Sequence, residues 1–338
     1  METFPRQKAR TRGFQLGRPR TFTIRGQHLY FVRSRSGSDP FGCLWHVDLS
    51  RLGDRALEPT CVVDAELIRA ARGSTTNEGL PPAELARRER MREVSSGITA
   101  YDTDEDGCHV VFTVDGLLFA VDATDSSAPQ VRRLPAPGPV VDPRIDPTGS
   151  RVAYVVDGEM WCGGLDGSAP TRLRARAHEQ QTWGLADFVA AEELERHRGH
   201  WWLPGGQRLL VEEVDEEPVG TWWISDPSDP STAPRAHRYP AAGSANAQVA
   251  LWLVDLAGNA VPVPWDHDAY EYLGTVRAEG PAPLVELLSR DQRRAMIARL
   301  DTESPDRPEL VPMETRVDPA WVDVVPGVPH LTVDGQSV

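Results

Sequence analysis

Short runs of branched and aromatic residues recur along the chain, each introduced by a glycine and one or two polar residues. Gly26-Gln27-His28-Leu29-Tyr30-Phe31 is the first, and Gly107-Cys108-His109-Val110-Val111-Phe112 carries the same pattern. It returns at Gly149-Ser150-Arg151-Val152-Ala153-Tyr154 and at Gly206-Gln207-Arg208-Leu209-Leu210-Val211. A turn glycine followed at once by strand-forming residues predicts entry into a β-hairpin. Two further antiparallel pairs are expected. One runs from Ala247 to Leu256 and turns at Ala257-Gly258-Asn259; the other runs from Pro283 to Leu288 through Ser289-Arg290-Asp291-Gln292 into Ala295 to Leu300. Pro81 to Val94 and Gly184 to His200 break the β pattern: both are charged, poor in Gly and Pro, and place apolar residues at helical intervals, so both predict short helical insertions.

The glycines at 107 and 149 set a spacing of roughly 40 residues, and the interval from 26 to 107 is about twice that. A repeat of this length holding several short strands predicts an all-β fold of the β-propeller type, in which each four-stranded blade buries its faces against its neighbours. With about 45 residues per unit, the chain accommodates about seven blades. Leu331-Thr332-Val333-Asp334-Gly335-Gln336 repeats the strand-and-turn phrase just before Val338, so the last blade is expected to be incomplete. An incomplete blade leaves an unpaired edge and an uncovered apolar face, and a homodimer or poor solubility is the expected consequence.

Composition narrows the partners. Fifty acidic against 36 basic residues give a net charge of -14, the wrong sign for a nucleic-acid binder. No apolar stretch approaches the roughly 18 to 20 residues that span a bilayer, and the start, with Arg6, Lys8, Arg10 and Arg12, lacks an apolar signal region. A cytoplasmic protein with no membrane partner is the expectation. Cys43, Cys61, Cys108 and Cys162 form neither a metal knuckle nor a compact disulfide framework and read as reduced core thiols.

Much familiar chemistry is missing from the sequence. It contains no Gly-x-Ser-x-Gly nucleophile elbow, no phosphate-binding Gly-x-x-x-x-Gly-Lys-Ser/Thr loop, no dinucleotide glycine fingerprint and no His-Glu-x-x-His pair. No cofactor and no metal is called for. His197 and His200 are spaced to share a helix face, but without a third ligand they read as a solvated surface pair. Adjacent glutamates such as Glu212-Glu213 and Glu216-Glu217 ordinarily read the same way. Glu192-Glu193 differs in its company: Asp187-Phe188-Val189 precede it, Trp201-Trp202 follow, and Tyr239-Pro240-Ala241-Ala242-Gly243 lies further on, with Asn246 and Val249.

In this order, these residues resemble the N-terminal propeller domain of the dipeptidyl peptidase IV branch of the prolyl oligopeptidase family of serine peptidases. Sharpest from Asp187 to Val249, the likeness rests on an Asp-aromatic-Val-x-x-Glu-Glu segment, a Trp-Trp-x-Pro-x-Gly turn and a Tyr-Pro-x-Ala-Gly-x-x-Asn phrase. The resemblance implies an eight-bladed propeller over residues 21–338, preceded by an N-terminal segment over 1–20. The resemblance further implies a C-terminal α/β-hydrolase domain as the propeller's partner, in the same chain or as a separate one. It also implies that Glu192 and Glu193 bind the free N-terminal amine of a peptide substrate, and that an arginine from an earlier loop, here Arg92, helps to hold that peptide. An α-ammonium with a pKa of about 7.7 to 8.0 is mostly charged at neutral pH, and two carboxylates share its three donors.

At the tryptophan turn the family reads Ser and Asp where this chain has Leu203 and Gly205, so two polar turn-forming side chains are lost and the turn is expected to be weakened. The family's catalytic triad lies beyond the propeller and has no counterpart here. Three readings follow: the substrate-gating half of a dipeptidyl-peptidase-like enzyme, inactive alone; a non-catalytic propeller serving as a binding or scaffold module; or a propeller enzyme with its own active site in the central channel, for which the sequence offers no constellation.

Overall fold

A computed structural model describes residues 2–332 except 52, 54–56, 73–79, 126–127, 281, 303 and 305. A short helix α1 (Phe4–Arg10) opens the chain, and five antiparallel meanders follow. The first is β1 (Arg20–Arg25), β2 (His28–Ser34), β3 (Phe41–Asp48) and β4 (Thr60–Val63), with helices α2 (Ala65–Arg72) and α3 (Pro82–Arg90) leading to a fifth strand, β5 (Ser96–Gly97), parallel to β3. The second is β6 (Tyr101–Thr103), β7 (His109–Val114), β8 (Leu117–Asp122) and β9 (Gln130–Arg133). The third is β10 (Val141–Ile145), β11 (Arg151–Val156), β12 (Glu159–Gly164) and β13 (Thr171–Arg174).

The fourth meander is interrupted twice. It starts with β14 (Gln181–Trp183), passes through helix α4 (Phe188–Glu193) and a short strand β15 (His200–Trp202), and continues with β16 (Arg208–Asp215). A separate hairpin, β17 (Thr221–Ile224) with β18 (Arg235–Arg238), precedes β19 (Gln248–Asp255) and β20 (Ala260–Val263). The fifth is β21 (Tyr272–Arg277), β22 (Leu284–Leu288), β23 (Arg294–Asp301) and β24 (Glu309–Val317).

All four glycine phrases introduce the second strand of a meander: β2, β7, β11 and β16. The reason is visible at Gly107, whose φ is +74° and where an added Cβ would lie 2.9 Å from the Cβ of Arg25 and 3.0 Å from its carbonyl oxygen. Those second strands are apolar in unbroken runs because both of their faces are covered. Val110, Val111 and Phe112 are fully buried, as are Leu209, Leu210 and Val211. The outer strand β9 carries the opposite signature, with every residue exposed.

The chain divides into two compact units, one holding Met1–Asp157 and Trp161–Arg172, the other Gly158–Met160 and Leu173–Val338. Within the first unit, the first two meanders pack face to face through Tyr30, Leu44, Ile98, Val110 and Phe112, and the second and third through Val111, Leu118, Ala120, Val152 and Tyr154. Within the second, the last two meanders share a core of Trp201, Leu210, Leu251, Leu273, Val285 and Leu287. Sheets stacked in sequence order, each a four-stranded meander, are blades of the propeller type.

Five four-stranded meanders appear among the described residues where a uniform period predicted about seven. The units are unequal: α2 and α3 lengthen the first, while α4, β15 and the β17–β18 hairpin lengthen the fourth, so dividing the chain by one period overcounts. The final meander has all four strands, and the expected half-blade at Leu331–Gln336 falls mostly outside the described residues. Both expected helical insertions form, as α3 and α4, and both expected antiparallel pairs form, as β19–β20 and β22–β23.

The turn at Leu203–Gly206 is not weakened into disorder. Leu203 N–H donates to the Arg208 carbonyl at 2.9 Å and Gly206 N–H to the Leu203 carbonyl at 3.1 Å, with Gly205 and Gly206 both at positive φ. Leu203 compensates for the lost polar side chain by burying in the core beside Trp201. Of the four thiols, all free, only Cys43 and Cys162 are core residues; Cys61 and Cys108 are half-buried, because Cys61 lies on the outer strand β4 and Cys108 in a turn. Among the described residues no helix is long and apolar enough to cross a membrane.

Candidate functional site: an acidic helix end braced by a buried ion pair

Helix α4 begins at Asp187, whose carboxylate accepts hydrogen bonds from Val189 N–H at 2.9 Å and Ala190 N–H at 3.4 Å. This N-cap satisfies donors that the helix itself leaves open. Ala190 and Ala191 are buried, and the helix ends on the exposed carboxylates Glu192 and Glu193. No basic residue occupies its last turn. Carboxylates at a helix C-terminus face the negative end of the peptide dipoles, a placement that local stability disfavours.

The chain then reverses at Glu195, which takes a positive φ of +54°, and Arg196 N–H returns to the Ala190 carbonyl at 2.9 Å. Arg196 is buried, and its guanidinium grips fully buried Glu212 on β16 with two donors: Nη2 reaches Oε1 at 3.0 Å and Nη1 pairs with Oε2. Further bonds run from Nη1 to the Arg198 carbonyl at 2.8 Å and from Nη2 to the Leu273 carbonyl at 3.1 Å. Asp187 Oδ1 stands 3.7 Å from the same guanidinium, which lies 5.7 Å from the Trp201 ring centroid. One cation therefore ties the start of α4, the reversal after it, β16 and β21. Burial pushes the Glu212 carboxyl up to about 7 against the opposing pull of Arg196, while Glu212 and Asp187 raise Arg196 further above its ordinary value.

Beyond the helix end lies a cavity of about 710 Å³, lined by Glu193, Glu195, Arg198, Arg277, Glu279 and Trp321 among others. Arg198 Nη1 approaches Glu279 to 3.6 Å there. Glu192 is exposed beside it and is not among the lining residues. The motifs singled out in the sequence converge on this region. Phe188 meets Tyr239 edge to face at 5.4 Å, Tyr239 in turn meets Trp222 at 5.8 Å, and Trp201 lies beneath Arg196. Asn246 serves a neighbouring wall, donating to Glu271 at 2.8 Å and to the Tyr272 hydroxyl at 3.2 Å.

Three sequence readings need revision or placement. Glu212 is not a solvated surface carboxylate; it lies in the middle of a strand buried on both faces, and only Arg196 makes that tolerable. His197 and His200 share no helix, since α4 stops at Glu193. His200 is fully buried on β15 with its Nδ1 2.9 Å from the Gly184 carbonyl, so neither a surface pair nor a helical metal site describes it. Arg92 follows α3 in the first unit, exposed and at positive φ, whereas Glu192 and Glu193 belong to the second unit.

Residues 115–336 match the family described as the dipeptidyl peptidase IV (DPP IV) N-terminal region, and the chain belongs to that family. It is similar to dipeptidyl peptidase 8 of Mus musculus, 25% identical over 263 residues, covering 64% of this chain and 29% of that protein. It is also similar to inactive dipeptidyl peptidase 10 of Rattus norvegicus, 31% identical over 114 residues, covering 32% of this chain and 14% of the relative. Dipeptidyl aminopeptidase B of Saccharomyces cerevisiae is 26% identical over 118 residues, again 32% and 14%. The chain thus spans less than a third of the length of these relatives.

Proposed function

We propose that the chain is the substrate-gating, amine-recognising part of a dipeptidyl-peptidase-type serine peptidase, with cleavage carried out by an α/β-hydrolase region in the same or a partner polypeptide. The observation that carries this reading is the placement of Glu192 and Glu193 at the end of a short braced helix, with Glu193 on the wall of the 710 Å³ cavity. Two carboxylates set where the helix dipole disfavours them are well explained by a cationic ligand. Bound there, the ammonium of a peptide N-terminus fixes how many residues precede the scissile bond, which limits the product to a dipeptide. Arg92 is proposed to hold peptide carbonyl oxygens.

The test is a chromogenic Xaa-Pro substrate offered to the chain alone and together with the hydrolase region. The chain alone is expected to give no turnover. In the active assembly, Glu192→Gln and Glu193→Gln are each expected to lower kcat/KM by about 10-fold, the loss of one charge-assisted hydrogen bond. Both should also narrow the preference for a free over an acetylated N-terminus. Unchanged kcat/KM and unchanged preference in both variants would remove the amine-anchor role.

A second reading, a non-catalytic propeller used for binding, is favoured by one observation: a relative 31% identical over its matched segment is itself called inactive. Absence of turnover with every hydrolase region offered, alongside a folded chain, is the outcome that selects it.

A further inference from the structure

Cys43 and Cys61 lie on neighbouring strands of the first unit. In the β3–β4 ladder Leu44 pairs with Val63 and Trp45 with Cys61, with a bulge between them. Side chains alternate along a strand, so Cys43, two positions from Trp45, projects from the same face as Cys61 and sits diagonally across from it. The Cys61 thiol leans along β4, donating to the Val63 carbonyl at 3.6 Å, towards the level of Cys43, whose own thiol donates to the Phe41 carbonyl at 3.7 Å.

Their exposures differ in a useful way. Cys43 is 1% exposed, closed to any reagent from solution, whereas Cys61 is half-buried on a short outer strand that begins at exposed Thr60. Two cations stand near the pair. Arg33 is directly opposite Cys43 on β2, its guanidinium 4.1 Å above the Trp45 ring, and Arg35 forms an ion pair with Asp64. The neighbouring Cys43 thiol is the first cause lowering the Cys61 thiol below its ordinary value, with Arg35 and Arg33 adding to it against burial and Asp64; the proximity of Cys61, then burial, raises Cys43. One accessible thiol that ionises first, against one sealed thiol that cannot be attacked from outside, divides the roles of attacking and resolving cysteine.

We propose that Cys43 and Cys61 form a reversible intrachain disulfide when the chain meets a hydroperoxide. The Cys61 thiolate attacks the peroxide oxygen, forming an S–O bond as the O–O bond breaks, and the departing oxygen takes a proton to leave as water or an alcohol. Cys43 sulfur then attacks the Cys61 sulfenic sulfur; the S–S bond forms, the S–O bond breaks, and the hydroxide leaves with the Cys43 proton as water. Two thiols are oxidised and one peroxide is reduced. The bulge beside Trp45 is the place where the β3–β4 ladder is least regular.

Hydrogen peroxide added to the native chain, followed by thiol titration and mass spectrometry of a non-reducing digest, tests this. The expected result is loss of two of the four thiols, a linked peptide pair carrying Cys43 and Cys61, and full recovery on treatment with dithiothreitol. Cys43→Ser should trap Cys61 as a sulfenic acid that reacts with dimedone, and Cys61→Ser should leave Cys43 unoxidised. A Cys61 that oxidises alone in the native chain, a link between different chains, or oxidation of Cys108 ahead of Cys61 each overturns the proposal.

Discussion

Replacing Arg196 with methionine is expected to destabilise the second unit by about 3–5 kcal/mol, the usual consequence of leaving one member of a buried ion pair without its partner. Glu212 has no solvent to turn to, being 0% exposed on a strand covered on both sides. The penalty should depend on pH, and its sign follows from the carboxyl's raised value of about 7. A carboxyl with a folded pKa above its unfolded value of about 4.3 contributes stability that is fully present below that unfolded value and lost as pH rises through the folded one. Removing Arg196 removes the pull that opposes burial, so the folded value climbs further. The variant should therefore lose little near about pH 4 and most above about pH 7, as read from urea midpoints. Pairing Arg196→Met with Glu212→Leu should recover most of the loss. Equal midpoints for Arg196→Met and the parent at neutral pH would show that the pair does not brace α4.

Gly199→Ala carries the second large effect, by a steric route. An added Cβ there would stand 2.4 Å from the Leu185 carbonyl carbon and 2.5 Å from both the Gly184 carbonyl carbon and the Leu185 nitrogen. All three are backbone atoms, so no flexible side chain can swing away. The segment is also pinned by hydrogen bonds, from Glu212 N–H to the Gly199 carbonyl and from Gly184 N–H to the Glu212 carbonyl, both at 2.8 Å. The cost should reach or exceed the upper end of the roughly 1–3 kcal/mol typical of overpacking. Gly205→Ala is the contrast. Nothing lies within 4 Å of its added Cβ, so only the strain of a positive φ, about 1 kcal/mol, is expected. Thermal midpoints should rank Gly199→Ala well below Gly205→Ala, and the reverse order would refute the close approach.

The β framework was legible because its signals are local. A glycine at positive φ before a run such as Val110-Val111-Phe112 needs no knowledge of distant partners, and neither does the charged, glycine-poor stretch that became α3. Blade number is less legible because insertions have no fixed length, and α2 is a short helix whose start signals, the Asp64 cap and Glu66 in the first turn, follow directly on the strand β4. The acidic pair was found through its neighbours in sequence, Asp187 and Trp201. What holds it was not. By its adjacency to Glu213, Glu212 reads as a surface residue, although a carboxylate inside Leu209-Leu210-Val211-Glu212-Glu213-Val214 already marks a buried charge in need of a cation. Its partner comes from a reversal after α4 that no periodicity encodes.

The β17–β18 hairpin has a separate consequence. Strands β16 and β19 are paired over their full lengths, and the ladder closes at Asp215 opposite Gln248, so residues 216–247 hang from a sheet that is already complete. Trp222, Trp223 and Ile224 extend from it into water. Such an appendage is a module in the engineering sense: the tip of the hairpin can change in length and chemistry without altering the register of the scaffold, while Tyr239 against Phe188 and Asn246 on Glu271 hold its return to the sheet in place.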